Sequence, residues 1–555
     1  MRLVSVKILG DNFRSLVANK TYTFNNTGLR DESQLSSKIF AGLNGSGKSN
    51  FLELLSEIFY YLEIYHLPTA TKSLRQSKTV GFEIEYLLPA TPALAELLKQ
   101  PDMQDPYIQV RIIKRRGESP GFSIKRTTDE EYNTRVDDDT RQLLPTRVIA
   151  YTSGQNELLS NTYYKLKYHY FKTLSSETGA DISLINNQHL LFLDSHINYA
   201  IFIANLLLAD ENKLEYLLDI LQVKELCSFR ITLNKQDINN KPLPGSKLFE
   251  ETIRKFTRCA TTWTEKQEGK RKFLIFDFLV NSETIAAFRY HFKNAFGLFQ
   301  AFHYLEMLNL FMVRPTQRDL MLRVHESFRH TDDMATPDPF RLIFRVENII
   351  ISKITDKETG NTIEIPYQSL SDGEHQFNEV IGAMLMMEED GCLFLLDEPD
   401  THFNPMWRAK MIQMLDQVSA KSLSSSGKIE KVRKQEVIIT THSPFVISDT
   451  RKENVYKFEK KDRVVTYGNP ENIETFGASI NLILQEIFDR EITISDYSNS
   501  KLEDSRKEFA HVSKNQLGEL ISGTRQMLFD FGESIEKFDL YNFLYQKQEE
   551  IRDSK

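Results

Sequence analysis

At 555 residues the chain is too long for one compact core, which predicts two or three domains or one core with large insertions. A net charge of −8 lacks the global basicity of a dedicated nucleic-acid binder, and three cysteines (Cys227, Cys259, Cys392) without a CxxC pair argue against a disulfide framework or a cysteine-based zinc site. No apolar run approaches the ~18–20 residues of a membrane span and the start lacks a signal-peptide stretch, so a cytoplasmic protein is expected.

In chain order, Leu3 to Leu9, Tyr22 to Phe24 and Lys38 to Leu43 read as short strands that lead into a glycine-rich loop. Asn50 to Tyr65 follows with helical apolar spacing, and residues 79–86 and 107–114 read as strands of an antiparallel layer on the same lobe. From about 160 to 365 the pattern is mainly helical, over 190–222, 247–261 and 284–313, with strand-like interruptions near 228–234 and 272–280. No heptad run predicts a coiled-coil arm, and no self-similarity marks a repeat protein. The stretch 422–428 (SLSSSGK) reads as a surface loop, and a helical, charged region closes the chain. The expected division is 1–160, 161–365, 366–465 and 466–555.

The strongest chemical signal is the loop Gly42-Leu43-Asn44-Gly45-Ser46-Gly47-Lys48-Ser49, a full G-x-x-x-x-G-K-[ST] match set between a strand and a helix. Gly42, Gly45 and Gly47 let the backbone wrap a phosphate, with Asn44 inside the loop and Asn50 just behind it. Lys48 would bridge the β- and γ-phosphates of ATP, and Ser49 would place its hydroxyl on Mg²⁺. The run Cys392 to Leu396 reads as a strand buried on both faces that ends in Asp397 and Glu398. Asp397 suits the Mg²⁺ shell, and Glu398 suits a general base acting on water. Val437 to Ser443 (VIITTHS) is a second buried strand, with His442 at its end. Ser371, with Glu374 three residues on, makes a capping box when taken alone.

In this order these elements resemble the ABC-type ATPases of the SMC/RecF/OLD branch, over roughly 1–160 and 366–450. The fold that resemblance implies is α/β: an ABC-type P-loop ATPase head, with a mixed sheet flanked by helices and an antiparallel lobe. A mainly helical insertion and a helical C-terminal region complete the expectation. Ser369 to Glu374, 26 residues from Ser371 to Asp397, resembles the ABC signature, so Ser371 and Gly373 would touch the γ-phosphate of nucleotide held by a second subunit. His442, 44 residues after Glu398, takes the place of the switch histidine, and Asp400 to Pro405 that of the D-loop. Gln155, 107 residues beyond Lys48, resembles a Q-loop residue that senses Mg²⁺ and γ-phosphate, with Asn156 as its alternative. Arg14, in NFRSL, resembles an early arginine turned toward nucleotide.

The stretch 474–491 (ETFGASINLILQEIFDRE) resembles the tail of prokaryotic stand-alone ATPases from anti-phage defence operons, and within that group the chain is most similar to the PtuA-type ATPases of Septu and certain retron systems. That likeness implies a homodimer or higher oligomer that regulates a separate HNH endonuclease of PtuB type. In retron complexes a reverse transcriptase and its RNA/DNA product join, and DNA is a further implied partner. No Toprim, HNH or His/Cys metal pattern follows His442, and Glu459-Lys460-Lys461-Asp462 reads as a charged turn, so cleavage would fall to a partner. Two alternatives stay open: a RecF- or SMC-like DNA-repair ATPase, and a PARIS-type scaffold holding a Toprim effector. The basic clusters at Lys114, Arg115 and Arg116 and at Lys428, Lys431, Arg433 and Lys434 are DNA-contact candidates or solvated turns.

Overall fold

The computed structural model describes residues 1–26, 33–67, 81–98, 105–154, 157–175, 188–243, 247–318, 337–338, 341–423, 428–462, 464–513 and 516–553. They form two compact units, Met1–Val446 with Glu453–Asn469, and Ile447–Lys452 with Pro470–Lys555.

The first unit is built on a seven-stranded sheet. Its order is β20 (Val464–Gly468), β19 (Val455–Lys461), β3 (Ser36–Ala41), β18 (Glu436–Thr440), β15 (Leu393–Asp397), β8 (Val148–Thr152) and β9 (Leu190–Phe192). All neighbours are parallel except β20, which turns back on β19. Every residue of β15 and β18 is buried, as expected of central strands covered on both faces. Such a sheet presents its carboxyl ends as one edge, where loops gather chemistry.

A six-stranded antiparallel sheet runs in the order β2 (Thr21–Thr23), β1 (Arg2–Leu9), β4 (Gly81–Pro89), β5 (Tyr107–Lys114), β6 (Gly121–Arg126) and β7 (Thr134–Val136). The helix Lys48–His66 shares one apolar core with both sheets, through Phe51, Leu54, Leu55, Ile58 and Leu62 among others. Its burial extends around most of the circumference, including Glu53 and Glu63. A helix buried on all sides is held by packing and cannot drift from the strand that precedes it.

The segment expected to be mainly helical differs. Helices are present at Glu157–Ser175, Asn198–Leu208, Glu211–Leu221, Lys247–Cys259, Ser282–Phe292 and Ala295–Met307. Between and beyond them lies a five-stranded antiparallel sheet in the order β11 (Thr262–Glu268), β12 (Arg271–Leu279), β10 (Val223–Asn234), β13 (Phe344–Asp356) and β14 (Asn361–Pro366). Leu274, Phe276 and Phe278 alternate inward along β12, a period-two pattern. β11 has no such pattern, being exposed at every residue, and owes its conformation to the hairpin with β12 that turns at Gly269 (φ 60°).

Residues near 422–428, expected as loop, partly enter a small hairpin of β16 (Ala420–Leu423) and β17 (Ile429–Val432). Within the two basic clusters, Arg433 and Lys114 are buried. Arg433 is buried and donates through Nη1 to the carbonyls of Met384 (2.7 Å) and Met387 (2.8 Å), satisfying a helix C-terminus. Lys114 is buried with its Nζ on the carbonyl of Arg115, Arg115 pairs with Glu118, and Arg116 pairs with Asp11.

The second unit carries the helical C-terminal region, with helices Ile480–Phe488, Asp496–Glu508, Leu517–Leu528 and Ile535–Asp553. Leu502, Phe509, Ile521, Leu528, Leu540 and Leu544 make its small core.

Candidate functional site

The glycine-rich loop leaves β3 at Ala41 and enters its helix at Lys48. The strand stops two residues short of the expected Leu43 because Gly42 takes φ 138°, closed to residues with a side chain. A Cβ at Gly42 would stand 2.2 Å from the carbonyl oxygen of Phe458 in β19, and one at Gly47 (φ 106°) 2.8 Å from Val465 in β20. The loop is therefore pressed into shape by strands from the far end of the unit.

Lys48 is buried, and its Nζ donates to the carbonyls of Gly42 (2.8 Å) and Leu43 (3.3 Å). The same Nζ lies 3.0 Å from Nε2 of His442. Burial lowers the lysine pKa, and the Glu398 and Asp397 charges oppose the shift. Ser49 Oγ donates to Asp397 Oδ1 at 2.8 Å, and Thr440 Oγ1 donates to the same oxygen at 2.6 Å. Thus the first turn of the helix after the glycine-rich loop and the carboxyl ends of β15 and β18 each deliver one member of a hydroxyl–carboxylate–hydroxyl set.

Glu398 follows directly in the left-handed region, at φ 52°, a strained conformation for a residue with a side chain. Its N–H is held by the carbonyl and the hydroxyl of Thr440, both at 3.1 Å. Its carboxylate sits 3.3 Å from Nε2 of His442. Burial pushes Glu398 up to about 7, Lys48 pulls it down, and Asp400 and Asp397 push it up further. Burial, then the Lys48 charge, pushes His442 down to about 4, so the ring is neutral at pH 7. With Lys48 donating, Nε2 accepts and the ring proton belongs on Nδ1. With the ring neutral, the Glu398–His442 contact is not an ion pair, and Glu398 is held instead by the His442 backbone.

These side chains open on a cavity of about 300 Å³ lined by Asn44 to Asn50, Glu398 and His442. Asn50 turns its amide away, onto Ser15 Oγ at 2.7 Å. Oxygen donors at Ser49 and Asp397, beside a cationic lysine and a glycine-rich loop, fit a magnesium-bound phosphate chain. Among the described residues there is no cluster of three or more His, Cys, Asp or Glu to hold a metal by protein ligands alone.

Arg14, Ser371 and Gly373 lie elsewhere. Arg14 does not line this cavity; its Nε and Nη2 both bind the Glu53 carboxylate at 2.6 Å. A buried acid one turn along the P-loop helix thus claims the guanidinium that sequence directs to nucleotide. Gln155 and Asn156 lie outside the described residues; Ser153, just before them, donates its N–H to the Asp397 carbonyl at 3.1 Å. Ser371 caps the helical run that begins at Asp372 and continues through a π turn at Asn378–Gly382 to Met386. Neither Ser371 nor Gly373 lines the Lys48 cavity.

Gly373 packs on the D-loop segment, where a Cβ would stand 2.7 Å from the carbonyl oxygen of His402. One turn on, Gln376 accepts from His402 N (2.8 Å) and donates to the Tyr151 hydroxyl (3.0 Å). The His402 backbone is therefore packed against one face of that helix. Thr440 and Gln376 escape sequence reading. Thr440 could have been found from its place two residues before His442, whereas Gln376 meets its partners only in three dimensions.

Residues 228–448 match a family described as "AAA domain, putative AbiEii toxin, Type IV TA system". A 130-residue stretch is 28% identical to "Protein ea59" of Escherichia phage lambda, covering 23% of this chain and 22% of the phage protein. The aligned part thus spans about a fifth of that relative's length. The family match takes in the signature-like helix, β15 and β18, and the glycine-rich loop precedes it in the chain. No helix among the described residues is long and apolar enough to cross a membrane. Sheet order, loop and matched region together make this chain a mixed α/β protein with the fold of a P-loop ATPase.

Proposed function

We propose that the chain binds Mg²⁺–ATP on the Gly42–Ser49 loop and hydrolyses it at a site completed by a second copy of the chain. The convergence of Ser49, Thr440 and Asp397 beside Lys48, Glu398 and His442 supports the first half most directly. Lys48 would exchange its loop carbonyls for phosphate oxygens, while Ser49 and Asp397 would hold the metal directly and through water. Glu398, strained and set at the cavity wall, would take the proton of the attacking water. His442 would then lie against the γ-phosphate.

The second half rests on what is missing from the cavity among the described residues: no signature residue lines it. Ser371 and Gly373 would reach nucleotide bound by the partner copy, as the ABC resemblance implies. Lys48→Ala and Ser371→Ala chains, each inactive alone, test this when mixed. Restored turnover in the mixture is expected, because one intact composite site re-forms; a mixture as inactive as its components would refute it.

The finer role is a regulatory ATPase of anti-phage defence that governs a separate HNH nuclease of PtuB type. The tail at 474–491 supports it, as do a family description that names a toxin–antitoxin system and a relative from a phage. Co-purification with the product of the neighbouring gene tests it: an HNH protein is expected, and a Toprim protein would favour the PARIS-type alternative.

A further inference from the structure

Glu374 makes an unusual demand on the signature serine. Its Oε2 takes both donors of Ser371, the N–H at 2.8 Å and the hydroxyl at 2.9 Å. Its other oxygen pairs with the ammonium of Lys353. The pair is largely shielded, with the lysine side chain 24% exposed and the carboxylate 14%. Burial raises the pKa of Glu374, but Lys353 and the Ser371 donors outweigh it, so the net shift is downward and the group is ionised.

Lys353 does not belong to the nucleotide core. It lies on β13, between Val223 of β10 and Ile363 of β14, in the sheet of the inserted segment. β14 ends at Pro366, and a single 3-10 turn, Tyr367–Ser369, leads from it to Ser371. An anion arriving at Ser371 would meet the carboxylate of Glu374 within a few ångströms, a strong repulsion in a shielded setting. A neighbouring ammonium cancels that repulsion only while the inserted sheet holds it in place.

We propose that Lys353 is the positioning residue of the signature serine: by neutralising Glu374 it lets Ser371 meet the nucleotide phosphate, and so makes turnover depend on where the inserted sheet sits. The inference rests on the reading of Ser371 as a phosphate contact. The sheet then serves as the input element, since whatever binds and shifts it changes the charge beside Ser371.

The test is a double-mutant cycle on ATP turnover with Lys353→Ala, Lys353→Arg, Glu374→Gln and the Lys353→Ala/Glu374→Gln pair. Lys353→Ala should lower kcat by about tenfold or more with the KM for ATP within about twofold. Lys353→Arg should retain most of the rate. On the Glu374→Gln background, Lys353→Ala should cost nothing further, because no charge remains to be cancelled. An equal loss on both backgrounds, or a loss that tracks melting temperature in place of kcat, overturns the proposal. Glu398→Gln runs alongside: wild-type turnover in that variant sinks the ATPase reading itself. Its inactivity, with Lys353→Ala unaffected, sinks this inference alone.

Discussion

Lys48 Nζ stands 3.0 Å from Nε2 of His442, so the cation of the loop and the histidine after β18 are in direct contact. A γ-phosphate would have to enter between them. His442→Ala should therefore leave ATP binding nearly intact and lower kcat by about 10²-fold or more. Lys48→Ala should abolish binding of a fluorescent ATP analogue. Normal turnover in His442→Ala would remove the histidine from the chemistry.

Glu398→Gln should slow hydrolysis by roughly 10²–10⁴-fold, the range for loss of a general base. ATP binding should persist, because the amide keeps the shape of the carboxylate. Size-exclusion chromatography with ATP should then show a trapped, larger assembly. Equal turnover in variant and wild type would end the assignment.

Glu379 makes stability depend on pH. It is 7% exposed and accepts from Asn198 Nδ2 at 3.1 Å; burial pushes it up to about 7, with Asp194 adding to the rise and the Tyr151 and Asn198 bonds opposing it. An unfolded chain releases that proton near the ordinary carboxylate value of about 4.3, whereas the folded chain keeps it to about 7. Stability from this group is therefore complete below about pH 4 and is lost as pH rises through 7, by at most roughly 4 kcal/mol. Glu379→Gln should flatten that slope. Denaturant melts at pH 5 and pH 8 measure it, and parallel slopes in variant and wild type would contradict it.

The fully buried pair Lys38–Glu436 (2.7 Å) carries the sheet centre, since Glu436 also accepts from Leu3 N (2.7 Å) and Ser36 Oγ (3.0 Å). Lys38→Met strands that carboxylate and should cost about 3–5 kcal/mol. Lys38→Met/Glu436→Gln should recover part of the loss. Thermal melts decide, and a Lys38→Met variant as stable as wild type would show that water reaches the pair.

Gly373→Ala offers a separate handle on the D-loop. The added methyl would stand 2.7 Å from the His402 carbonyl oxygen and must push that segment away from the signature-like helix. Reduced kcat with little change in melting temperature is expected; an unchanged rate would show the two elements to be uncoupled.

Apart from Thr440, the cluster beyond the β3, β15 and β18 ends was legible in sequence because phosphate chemistry dictates both residue types and their places after strands. The inserted sheet was legible only in part. β12 alternates visibly, but β11 carries no apolar pattern and takes its conformation from its neighbour. Arg433 reads as one of a basic run, yet it serves the carbonyls of a helix end some 46–49 residues earlier. Arg14 matches a nucleotide-facing pattern, and only the fold reveals that Glu53 occupies it. In each case the deciding partner is distant in sequence, where local pattern carries no information.

The strand that launches the P-loop, β3, has as its two neighbours β18 and β19, which begin roughly 400 residues later. Its sheet cannot close on a growing chain until those strands emerge. At ~5–20 residues per second of synthesis, that leaves β3 and its loop without lateral partners for about 20–80 s. Ribosome-bound chains ending before Glu436 should thus bind no nucleotide, and the long wait marks β3 as the segment most in need of protection during birth. Contacts of such sequence separation also predict slow refolding in vitro, set by the closing of this sheet and not by the helices around it.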